Sequence, residues 1–114
     1  MSEHANYETA IQFAGGMPEL LEELVELFRD EGPSLLTQCQ EAHQAGDAEV
    51  LRRHSHTLKS NFATLGAEIG RALCETIEHA SADGNLELAG EILKQVPVSL
   101  DATLAAVNDW DFGG

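Results

Sequence analysis

The residues best suited to chemistry lie in the stretch His56-Thr57-Leu58-Lys59-Ser60. Taking Leu51, Leu58, Phe62 and Leu65 as the buried stripe of one helix, a step of about 100° per residue turns His56 roughly 160° away from Leu58, toward solvent. Its neighbours on that outer face, three and four residues away, are Arg52, Arg53, Lys59 and Ser60, with Ala63 one turn further on. Three of the six basic residues of a chain with net charge -14 therefore surround one imidazole. An imidazole is nucleophilic near neutral pH, and adjacent cations suit a group that is to carry phosphate. The plainer alternative is a solvent-facing helix that happens to be basic.

The elements that must hold this group read as helices. Residues 6–14 form a short one, ended by Gly15-Gly16. Pro18 suits the first turn of the next helix, with Glu19, Glu22 and Glu23 favourable at its positive end. Leu20, Leu21, Leu24, Leu27, Phe28, Leu35, Leu36 and Cys39 follow at three- and four-residue intervals as its core-facing stripe. Gly32-Pro33 interrupts the helix, and because the stripe resumes at Leu35 without a polar loop, a kink rather than a reversal is expected. Gly46 closes it and Asp47 caps the histidine helix, about 48–64. A very short connection at Leu65-Gly66 leads to a helix over about 67–82, with Ile69, Leu73, Cys74 and Ile77 inward. Asp83-Gly84-Asn85 is a turn. The last helix is expected over about 86–110, kinked at Pro97, with Leu100, Leu104 and Val107 continuing the stripe. Four long helices with short connections make an all-α, antiparallel up-down-up-down four-helix bundle, preceded by the short extra N-terminal helix.

Composition narrows the class. The 114 residues suit one domain, with the bundle core over about 17–110. Hydrophobic residues make up 43% but aromatics only 5%, so Leu, Ala, Ile and Val must build the core. No apolar run approaches the roughly 20 residues of a membrane span. The opening MSEHANYETA lacks the charged and apolar regions of a signal peptide, so a cytoplasmic protein is expected. The strong negative charge argues against nucleic acid and anionic membranes and toward a protein partner. Cys39 and Cys74, in no metal-ligand spacing, read as small buried hydrophobes. The triplet Asp111-Phe112-Gly113 has nothing else of a kinase around it and reads as chance.

His56-Thr57-Leu58-Lys59, followed by Leu65-Gly66-Ala67, resembles the HxLKGSSxxxGA signature of histidine-containing phosphotransfer (HPt) domains, and the helix layout is similar throughout. The resemblance implies that His56 accepts a phosphoryl group from one receiver-domain aspartate and passes it to another, while Lys59 steadies the phosphate. It implies receiver domains of response regulators and hybrid sensor histidine kinases as partners, in a multistep two-component phosphorelay. Two departures stand out. Ser60 replaces the family's glycine, so docking should survive with added selectivity. Asn61 and Phe62 replace the small pair that follows, and Phe62 lies toward the buried side, where it should serve packing.

A phosphocarrier histidine needs one nucleophilic nitrogen, with the proton held on the other by an acceptor. Reflecting position 56 about the turn at 65–67 lands near 77, which makes Glu78 the first candidate acceptor and Glu75, one turn away, the second. Either is equally consistent with a solvated surface charge. Lys59, Arg52 and Arg53 would offset the transferred charge, and Arg52, Arg53, Ser60 and Ala63 would form the receiver-docking face. His54, two residues from His56, falls at the bundle interior or its margin; His4 falls in a flexible terminus; His43 and His79 read as surface residues. The chain has no GxxxxGK[ST] loop or glycine-rich nucleotide box, so a carrier without its own ATP site is expected, not a kinase. No cofactor or metal is expected on the chain, the Mg²⁺ of transfer being the partner's, and a monomer suffices. Two rivals remain: an HPt-like interaction or inhibitory bundle without phosphotransfer, and a metal-binding bundle. Glu75 and His79 have a metal-ligand spacing, but a second such pair is missing.

Overall fold

Four of the described helices start where a capping side chain or a proline favours a first turn. The computed structural model describes residues 4–112; the opening Met-Ser-Glu and the final two glycines of the tail, on which parts of the terminal readings fall, lie outside the described residues. The helices are α1 (Tyr7–Phe13), α2 (Pro18–Gln44), α3 (Ala48–Thr64), α4 (Glu68–Ala82), α5 (Leu86–Leu93) and α6 (Val96–Asn108). Asn6, Asp47 and Asn85 cap α1, α3 and α5, each side chain accepting from a backbone N–H three residues on. Pro18 opens α2, where its missing N–H costs no bond. Among the described residues there is no strand, and no helix is long and apolar enough to cross a membrane.

The fold is the expected all-α bundle, with α2, α3 and α4 as three long members and α5–α6 as the fourth. α2 runs unbroken through Gly32-Pro33, so the chain does not reverse there. The expected single helix over 86–110 is instead two. Pro97 has no N–H for the Leu93 carbonyl four residues back, so the ladder stops, and Lys94-Gln95 turn the chain before α6 begins. The second helix also ends at Asn108, short of Trp110, whose ring packs edge-on against Tyr7 at 5.4 Å.

The core is aliphatic as composition requires, with Leu21, Val25, Leu51, Leu58, Phe62, Leu65 and Ile77 fully buried. Phe62 meets Phe28 edge-on at 5.4 Å. Ala10 of α1 and Ala14 just after it join this core, which therefore begins before residue 17. Leu27 departs from the expected stripe. It sits about 100° from Phe28 and is 50% exposed, flanking the core instead of entering it. His4 is also tied down, contrary to the expected flexible terminus, because the Thr103 hydroxyl donates to its carbonyl at 2.7 Å. Cys39 and Cys74 are buried free thiols, and burial pushes each up to about 12.

Candidate functional site

In α3, Leu51, Ser55, Leu58 and Phe62 turn inward at intervals of four, three and four, which leaves His56 on the opposite face. Two glycines then bring α4 close. At Gly66 the backbone adopts φ +65° and the chain turns, while a Cβ there would stand 2.6 Å from the Cβ of Asn6. At Gly70 the space a Cβ would fill is taken by the Phe62 ring, 2.5 Å away. With Phe62 lying directly on the α4 backbone, side chains two turns up α3 and α4 can touch.

There His56, Lys59 and Glu78 meet. The Nδ1 nitrogen of His56 lies 2.9 Å from Oε2 of Glu78, and Nζ of Lys59 lies 2.7 Å from Oε1. A carboxylate only accepts, so Nδ1 carries the hydrogen and donates it. In the neutral ring the lone pair is then on Nε2. The His56 side chain is 56% exposed, whereas Glu78 is 15% exposed with Oε1 shut off from solvent. Burial works to raise the Glu78 carboxyl, but the hydrogen bonds from Lys59 and His56 outweigh it and hold the group below the ordinary glutamate value. The pair remains an anion facing an imidazole, poised to offset positive charge on the ring.

The other candidates fall in different places. Glu75 turns to Arg71, whose Nη1 lies 2.8 Å away, and so does not reach His56. Arg52 is held by Glu49 at 2.6 Å, one turn back on its own helix, and Arg53 is exposed without an ion pair among the described residues. Ser60 and Ala63 lie on the His56 face, with the Ser60 hydroxyl donating to the His56 carbonyl at 3.3 Å. The Arg71–Glu75 and Glu49–Arg52 spacings are legible in the sequence as ordinary same-helix ion pairs, a signal that ranks Glu78 over Glu75.

His54 is half-buried at the bundle margin and His79 is exposed. His43 is not a plain surface residue. Its Nε2 donates to the Leu86 carbonyl at 2.9 Å, and its ring covers Gly90. Among the described residues no three His, Cys, Asp or Glu side chains gather as a metal-ligand group, and Glu75 is engaged by Arg71.

The Hpt domain family model matches residues 23–110, which includes α3 with His56 and α4 with Glu78. The chain belongs to the Hpt domain family. As an Hpt domain it is part of two-component phosphorelay signalling. Its fold is similar to the crystal structure of histidine-containing phosphotransfer protein B (HptB) from Pseudomonas aeruginosa PAO1, with TM-score 0.87 and 21% identity. The similarity covers 95% of this chain and 94% of that one. No curated protein sequence matches it.

Proposed function

We propose that this Hpt domain is a cytoplasmic, monomeric phosphocarrier that moves a phosphoryl group between receiver-domain aspartates through Nε2 of His56. The single observation that carries this reading is the 2.9 Å contact between Nδ1 of His56 and Glu78, which leaves the outward nitrogen nucleophilic. In the forward step Nε2 attacks the phosphorus of an aspartyl phosphate, the bond from phosphorus to the aspartate oxygen breaks, and the carboxylate is regenerated on the receiver. The ring then carries Nε2–phosphoryl and Nδ1–H, and Glu78 balances its positive character. In the reverse step an aspartate oxygen of a second receiver attacks phosphorus and the N–P bond breaks.

Lys59 supplies a cation beside the approaching phosphoryl oxygens, which carry roughly two negative charges. Its pair with Glu78 is largely enclosed, and the cost of taking both charges out of water offsets much of their attraction, so its use lies in transfer. Arg52, Arg53, Ser60 and Ala63 form the docking face, and the Mg²⁺ of the reaction belongs to the receiver's acidic pocket. With no nucleotide loop in the sequence, the chain carries phosphate and does not take it from ATP itself.

The test is transfer from phosphorylated host receivers to three proteins. The unchanged protein and His54→Gln should gain acid-labile phosphate, whereas His56→Gln should gain none while keeping its helical spectrum, since Gln is a good helix former. Labelling of His56→Gln on another histidine would refute the site. Absence of labelling in the unchanged protein would favour the reading as an interaction bundle without phosphotransfer.

A further inference from the structure

Between α2 and α3 a shallow groove runs alongside the His56 face. Its two halves share one residue, Glu31. On one side Leu24, Leu27 and Asn61 line it, and on the other Leu35 and Thr57, the immediate neighbour of His56. The exposed Leu27, displaced from the core stripe, is part of its floor. Glu31 is held at the centre by Asn61, whose Nδ2 donates to its Oε2 at 3.3 Å.

The charge at this point is uncompensated. Among the described residues every lysine and arginine except Arg53 is in an ion pair, and none of those pairs includes Glu31. Asp30 is next to it in the same groove. The groove is therefore apolar on its floor and anionic at its midpoint, while the α3 side around His56 carries Arg52, Arg53 and Lys59. A partner whose acidic pocket meets His56 thus has to cross α2 with the opposite sign of charge.

We propose that Glu31, fixed by Asn61, is a specificity determinant that selects receiver domains presenting a basic side chain where they cross α2, and disfavours those presenting an acidic one. The inference rests on the phosphocarrier reading above and deepens it. The occupant is the receiver's docking surface, with an apolar patch for Leu24 and Leu27 and a Lys or Arg opposite Glu31. Charge complementarity of this kind acts mainly on encounter rate and partner choice, and weakens with salt.

The experiment measures second-order transfer rates from a panel of phosphorylated host receivers to the unchanged protein, Glu31→Gln and Glu31→Lys. For the receiver that serves the unchanged protein best, Glu31→Lys should lower the rate by about tenfold or more and Glu31→Gln by about two- to threefold, both effects shrinking as salt rises from roughly 0.05 to 0.5 M. Glu31→Lys should also reorder the panel, since receivers with an acidic residue at that place lose less or gain. Equal rates for all three proteins, or one uniform salt-independent drop across the whole panel, would overturn the inference and leave the carrier reading standing. If no receiver labels even the unchanged protein, both readings fall together.

Discussion

His56 and His43 are each tied to a neighbouring helix through one ring nitrogen, but the ties leave opposite nitrogens in play. His56 donates from Nδ1 to the Glu78 carboxylate on α4, and its side chain is more than half exposed. His43 donates from Nε2 to the Leu86 backbone carbonyl on α5, and its ring lies against Gly90. A carboxylate partner can balance charge that develops on the imidazole, whereas a backbone carbonyl accepts one hydrogen bond and adds no net charge. The same side chain is thus arranged for phosphoryl transfer in one place and for joining helices in the other.

The largest effect that would break this comparison is expected on transfer. A hydrogen bond to a charged group is worth roughly 1.5–3 kcal/mol, which biases the ring by about 10- to 100-fold toward the reactive tautomer. Glu78→Ala should lower the transfer rate several-fold, since the released ring populates both tautomers and loses its counter-charge, and Glu78→Gln, which keeps an acceptor oxygen without the charge, should fall between. His43→Gln should transfer at the normal rate and lose about 1 kcal/mol of stability at most. Equal losses of transfer in Glu78→Ala and His43→Gln would erase the distinction.

The glycine under each region sharpens it next. Gly70→Ala pushes on the Phe62 ring, which is fully buried and has nowhere to go, so chemical denaturation should show a loss of about 1–3 kcal/mol. Gly90→Ala pushes on His43, whose half-exposed ring can swing outward. The lost hydrogen bond there, about 1 kcal/mol, is offset by a similar gain in helix propensity, so the net change should be near zero. A severe loss in Gly90→Ala would show His43 to be as fixed as Phe62.

Lys59→Ala should slow transfer several-fold and also lower the melting temperature, since it leaves the enclosed Oε1 of Glu78 without its cation. An unchanged rate would reduce Lys59 to a solvated charge. The smallest effect is on acid stability. The folded Glu78 carboxyl sits below its ordinary value, so its contribution is fully present above about pH 4.3 and is lost as pH falls through the depressed folded value. Glu78→Gln should therefore be less stable than the unchanged protein at neutral pH and converge with it in acid. A gap that widened toward acid would contradict the assigned sign.

Much of this geometry is readable from residue order alone. Gly46-Asp47 and Asp83-Gly84-Asn85 mark helix ends because only particular residues fit those turns and caps, and the helices fall there. The outward direction of His56 follows from the spacing of Leu51, Leu58 and Phe62, and the place of Glu78 across from it follows from counting back over the three-residue turn at 65–67. The break before α6 is harder to read, because Leu93, Val96 and Leu100 keep the three- and four-residue spacing across it and Pro97 suits a kink as well as a stop. The anchors of His43 and His4 are invisible for a different reason. Each involves a backbone carbonyl, which every residue has, so no side-chain type announces it. The pairing of Asn61 with Glu31 depends on the rotation of α2 against α3, which neither helix encodes by itself.

The central claim, that the phosphoryl group travels on Nε2 of His56 because Glu78 occupies Nδ1, is tested most directly by nuclear magnetic resonance. The protein would carry ¹⁵N in its histidine rings and be phosphorylated by a cognate receiver. A phosphorus–nitrogen coupling on Nε2 of His56 and a retained proton on Nδ1 are expected. Coupling on Nδ1, or on any other histidine, would contradict it.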